Sequence, residues 1–88
     1  MNRDMKKFLP YYIGFVEKYV VGELCKRHGL EPLDALRRFL NSETYRMICD
    51  PELAMWEFSE RAIFEMWEVE KITGDPRNSV HIRSEAHE

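Results

Sequence analysis

Cys25 and His28 stand three residues apart, a spacing that puts two metal ligands on one face of a helix, and Cys49 could add a third. Structural zinc asks for four ligands, usually in two closely spaced pairs. Here there is one pair, and a fourth ligand would have to come from His81 or His87 near the C-terminus, so no metal site is expected. The two cysteines read instead as small buried hydrophobes in a reducing compartment. Six glutamates between residues 51 and 74 (Glu52, Glu57, Glu60, Glu65, Glu68 and Glu70) invite acid–base chemistry. None has the E-x-x-H spacing of carboxylate-bridged metal sites in helical bundles, and together they read as a solvated helix face. Ser42 and Ser59 precede helical runs and read as caps, not nucleophiles. Gly-rich phosphate loops are absent. The requirements for a catalytic centre are not met, so the chain is read as a non-enzyme with no cofactor and no identifiable small-molecule substrate.

Arginine supplies a different possibility. Residues 24–40, LCKRHGLEPLDALRRFL, have the outline of a helix-turn-helix, with Gly29 in the turn and Arg37 and Arg38 on the second helix. Groove-binding helices usually carry a basic surplus for phosphates, whereas Glu31, Asp34 and Glu43 cancel these arginines locally. A plain helical hairpin with two solvated arginines is favoured, and a small DNA-binding regulator is the alternative.

The 88-residue chain has a net charge of −3, too small to select a polyanionic or membrane-surface partner. The charge is unevenly distributed: residues 1–30 hold six Lys or Arg against three Asp or Glu, and residues 51–74 hold two against six. No apolar run approaches the ~18 residues of a membrane span, and the N-terminus lacks the continuous apolar core of a signal peptide. The expected compartment is the cytoplasm.

These residues must be positioned by helices. Phe8, Tyr12, Phe15, Val16, Tyr19 and Val20 recur at three- and four-residue steps and predict a first helix over 8–28, with Pro10 in its first turn. Lys26, Arg27 and His28 suit its C-terminal carbonyls, and Gly29 suits the left-handed residue that ends it. Pro32 opens a second helix over 32–40, with Leu33, Leu36, Phe39 and Leu40 expected in the core. A short third helix, 43–49, follows a cap at Asn41 or Ser42 and carries Tyr45, Ile48 and Cys49. Asp50-Pro51-Glu52 restarts the chain: Asp50 caps and Pro51 takes the first position. The 51–73 region runs from there, either unbroken or interrupted near Ser59, and ends at Gly74-Asp75-Pro76. Residues 77–88 show no periodicity and read as a disordered, dispensable tail. The expectation is thus an all-α fold, a compact bundle of three to five short helices in one domain spanning 1–76. The first helix packs on the 51–73 region, bridged by 32–49.

The phrase FLNSETYRMICDPELAMW, with SERAIFEMW behind it, resembles a pattern in small bacterial all-helical proteins whose domain has no assigned function. The pattern is F-L-x-S-x-T-Y, then D-P-E, then an aromatic, then a serine-started segment ending in an aromatic. It is carried here by Phe39, Leu40, Ser42, Thr44, Tyr45, Asp50, Pro51, Glu52, Trp56, Ser59 and Trp67. The match covers about a third of the chain. It consists of caps and core aromatics and carries no site. It implies a bacterial or phage origin and an accessory binding role.

The apolar residues exceed what one small core absorbs. In the 51–73 region Trp56, Phe58, Ile63, Phe64, Met66, Trp67 and Val69 cannot all point one way, because Phe64 and Val69 lie on nearly opposite sides at 100° per residue. Leftover aromatic surface marks an interface. The expected function is therefore a protein-interaction module, its partner another protein or a second copy of itself in a homodimer. The expected surface residues are Tyr11, Phe15, Met55, Phe64 and Trp67.

Overall fold

A computed structural model describes residues 6 to 86. The fold is all-α, and the described residues hold five full helices: α1 (Leu9–His28), α2 (Pro32–Leu40), α3 (Glu43–Cys49), α4 (Glu60–Thr73) and α5 (Val80–Ala86). Three 3-10 turns, Pro51–Leu53, Met55–Glu57 and Pro76–Asn78, join the later elements. No strand occurs among the described residues.

Each boundary has a local cause. Pro10 lies in the first turn of α1, and Gly29 ends the helix at φ 67°, its N–H donating to the Cys25 carbonyl over 3.2 Å. Ser42 caps α3 twice over: its Oγ accepts from the Tyr45 N–H and donates to the Phe39 carbonyl, tying α3 to the end of α2. Ser59 Oγ accepts from the Ala62 N–H and starts α4. The 51–73 region is therefore interrupted, and its first part is not α-helix. Asp50 caps as expected, accepting from the Glu52 N–H, but the element it starts is a single 3-10 turn. Ala54, in the left-handed region at φ 50°, separates that turn from the next.

The core lies where α1, α2 and α4 meet. Val16, Val20 and Leu24 line one edge of α1 and are fully buried, as are Ala35 and Phe39 of α2, Ile48 of α3, and Ile63 and Met66 of α4. Tyr19 and Phe64 meet edge-on, with ring centres 6.5 Å apart, and Phe64 stacks on Trp67. Leu33 and Leu40, expected inside, are 65% and 39% exposed. The axis of burial in α2 runs through Ala35 and Phe39. At 100° per residue Leu33 then lies almost opposite Ala35 and Leu40 a quarter turn from Phe39. The molecule is only 17 Å deep in its thinnest direction, against a helix diameter of about 10–12 Å, so few helices can be covered on every side.

The C-terminal stretch departs from the tail expected there. Residues 77–86 continue as ordered turn and helix, and residues 87 and 88 lie outside the described residues. Asp75 caps the Pro76–Asn78 turn as Asp50 caps its own, by accepting from the Arg77 N–H. Pro76 and Ser79 are buried, Ser79 Oγ accepts from the His81 N–H, and Ile82 packs against the core. Arg77 reaches Glu43 of α3 at 2.7 Å, and His81 Nε2–H donates to Glu65 of α4 at 2.7 Å.

The hydrogen bond from His81 holds the Glu65 carboxyl below the ordinary carboxylate range. The His81 and Arg61 charges act the same way, and partial burial opposes them. A lowered folded-state value contributes stability that is complete above the ordinary glutamate value, about 4.5, and is lost as pH falls through the lowered one. Amide exchange should therefore show Ile82 and Arg83, which donate to the Ser79 carbonyl, losing protection on acidification before the amides of α1 do. In Glu65→Gln this early acid step should disappear. Simultaneous loss along the whole chain in wild type would show that the pair does not hold α5.

Candidate functional site

The rotation of α1 about its axis decides which aromatics are left outside. Tyr12 sets it: its hydroxyl lies 2.7 Å from the Met55 carbonyl and 3.0 Å from that of Phe58, pinning the helix to the 3-10 segment. Burial, helped by the charge of Glu60, pushes the phenol above its ordinary range, so it stays a donor. With Tyr12 and Val16 turned inward, Phe8, Tyr11 and Phe15 face solvent, 57%, 75% and 56% exposed. They fall within an arc of about 60°. Phe8 and Tyr11 lie against each other, ring centres 6.4 Å apart.

Gly22 lies in the same arc two turns beyond Phe15. A glycine inside a helix costs about 1 kcal/mol relative to alanine, yet, the backbone of its own helix and its chain neighbours aside, no atom of the described residues lies within 4 Å of the place a Cβ would take. Packing among the described residues gives no reason for glycine there. Lys18 borders the arc and is exposed.

Of the five surface residues expected from the sequence, this stripe contains Tyr11 and Phe15. Met55, Phe64 and Trp67 are 4%, 1% and 5% exposed and belong to the core. The reason lies in α4, which α1 covers on one side while α3 and the Pro76–Asn78 turn cover another. Tyr19 of α1 meets Phe64 and His28 of α1 meets Trp67, so both rings lie on a covered side of α4. Phe8 was missed as a surface residue because its spacing from Tyr12 and Phe15 also fits a core stripe.

Arg37 and Arg38 are exposed on α2, and Arg38 Nε is 3.3 Å from Asp34 one turn earlier. Replacing both with Ala should leave the melting temperature within a few degrees of wild type, since exposed pairs contribute about 0–1 kcal/mol. Calorimetry checks this, and a large drop would mean that α2 depends on them.

The glutamates of 51–74 are not one solvated face. Glu70 accepts from the backbone N–H groups of Glu43 and Thr44 and from the Thr44 hydroxyl, all within 2.9 Å. It is a cap supplied to α3 from another helix. Glu43 in turn is held below the ordinary carboxylate range by hydrogen bonds from Arg46 and Arg77, which outweigh its partial burial. These carboxylates are committed to structure. Among the described residues no three His, Cys, Asp or Glu side chains converge as a metal site, Cys25 and Cys49 are free thiols, and no helix is long and apolar enough to cross a membrane. Compared with family models, with curated proteins and with solved structures, the chain finds no match.

Proposed function

We propose that this protein is an interaction module that pairs with a second copy of itself through the outer face of α1. The observation that carries the reading is the Phe8–Tyr11–Phe15 stripe with an open glycine at its far end. Phe15 lies midway between Phe8 and Gly22. In an antiparallel pair of α1 helices centred on Phe15, Phe8 of each copy therefore faces Gly22 of the other, and Tyr11 faces Tyr19. The ring fills the space the glycine leaves open, and the contact is self-complementary, as a two-fold interface must be. Lys18 falls opposite Tyr12, which lies close enough to Glu60 to feel its charge, so the cation approaches an acid and not its own copy.

The area sets the strength. At roughly 200 Å² per aromatic side chain, the exposed part of the three rings is about 400 Å² per copy. Both copies together reach the low end of specific interfaces, where association is weak and reversible. An accessory binding role, which the resemblance to small bacterial helical proteins implies, is consistent with such a contact.

Sedimentation equilibrium tests it. Wild type should form a reversible dimer at high micromolar concentration. Phe15→Glu should be monomeric with an unchanged melting temperature, and Gly22→Gln should weaken pairing while leaving the fold intact. A wild type that stays monomeric at millimolar concentration, or a Phe15→Glu dimer as strong as wild type, would sink the proposal. In the DNA-binding alternative, the protein would bind random duplex with a steep salt dependence and the Arg37 and Arg38 double variant would lose that binding.

A further inference from the structure

Helix dipoles favour cations at C-terminal ends, and in this fold three such ends meet. His28 closes α1, Arg38 lies in the last turn of α2, and Lys71 lies in the last turn of α4. With Trp67, Glu68 and Ile72 they line a cavity of about 450 Å³, within the range of small-molecule sites. The His28 ring meets the Trp67 indole edge-on at 6.2 Å, and the Lys71 ammonium lies over the indole at 5.2 Å. Ile72 stands at the rim, 84% exposed.

The polar groups of this cavity are unequally satisfied. Arg38 is shared with Asp34, and Glu68 lies 3.9 Å from His28. Lys71 has no carboxylate partner among the described residues. The Trp67 Nε1–H is buried and has no acceptor among the described residues. A buried donor left unsatisfied carries a desolvation cost, and native structures rarely keep one without a reason. One cavity wall thus combines an unpaired cation, an aromatic face and an apolar rim, with the unsatisfied donor of the same indole buried behind it.

We propose that this cavity binds a small amphipathic anion, a carboxylate carried on a flat apolar body. The carboxylate pairs with Lys71, and Arg38 adds a second positive charge behind it. The apolar body lies between Ile72 and the aromatic wall. As Lys71 turns toward the anion, the face of the Trp67 indole is freed for the apolar body. Glu68 is the unfavourable neighbour of such a ligand and sets a sign that the test can use. The site lies roughly 20 Å along α1 from Phe15, so it stands or falls independently of the self-pairing proposal.

Titration of 15N-labelled protein with 2-naphthoate, with the neutral 2-naphthalenemethanol and with acetate separates head from body. With millimolar naphthoate the Trp67 Nε1–H resonance should move while that of Trp56 stays, and the alcohol and acetate should each bind more weakly. Lys71→Glu should weaken naphthoate binding roughly fivefold or more, the upper range for one exposed charge pair, and Glu68→Gln should strengthen it. Both side chains are far enough into solvent for the fold to persist, which the rest of the spectrum verifies. A Trp67 signal unmoved by naphthoate, equal binding of the alcohol, or two variants indistinguishable from wild type would each overturn the proposal.

Discussion

Glu70→Ala should destabilise the protein by about 3 kcal/mol, a large share of the 5–15 kcal/mol that holds a small domain folded. The first backbone N–H groups of α3 have no partner inside their own helix. Ser42 satisfies one, that of Tyr45. Those of Glu43 and Thr44 depend on the Glu70 carboxylate, at 2.8 and 2.9 Å, and the buried Thr44 hydroxyl depends on it as well, at 2.7 Å. Hydrogen bonds to a charged group contribute about 1.5–3 kcal/mol, and a donor stranded in a partly buried place costs more than the bond alone. The negative charge also lies at the positive end of the α3 dipole. Glu70→Gln keeps one acceptor oxygen but turns an amide N–H toward the other donors, so it should recover only part of the loss. Urea denaturation measures both, and the Ala variant should melt about 12–20 °C below wild type for a domain of this size. An Ala variant within 0.5 kcal/mol of wild type would mean that water replaces the carboxylate at no cost.

Ending the chain at Gly74 should be nearly as damaging. The sequence predicts no change only for removal of residues 77–88, which lack a stripe that could dock. In the structure the removed stretch carries buried Pro76 and Ser79, and Ile82 against the core. It also carries Arg77, which braces Glu43, and His81, which braces Glu65. Exposing buried Pro76 and partly buried Ile82 costs about 2–3 kcal/mol, and the flank of α4 would be left wet. Truncation at Gly74 should therefore lower the melting temperature by more than 10 °C and increase binding of apolar dyes. If truncation left the melting curve unchanged, the packing of the Pro76–Asn78 turn would contribute nothing.

Asp50-Pro51 and Asp75-Pro76 carry the same chemistry, a carboxylate that accepts two residues on and a proline that needs no N–H partner, so the second pair starts a turn just as the first does. Ser79 repeats the capping role that Ser42 and Ser59 already play. Seven residues of α5 are too few to display a period, and that lack of pattern was taken for lack of structure.

What the chain determined locally was its punctuation. Pro10, Gly29, Pro32, Ser42, Ser59 and Gly74 set the helix boundaries, because capping and left-handed turns depend on a few neighbouring atoms that the sequence names outright. The all-α class follows from the same short-range rules. The orientation of each helix was decided by tertiary structure. Tyr11 and Phe15 share a helix with Val16 and Val20, yet one pair is exposed and the other buried, because the Tyr12 hydroxyl is bound to carbonyls more than forty residues away. Phe64 and Trp67 lie inside because Tyr19, Arg27 and His28 of α1 pack on their rings. Glu70 caps a helix whose residues are twenty-six and more positions distant. Burial is a property of what arrives on the other side of a side chain, and no local pattern specifies that arrival.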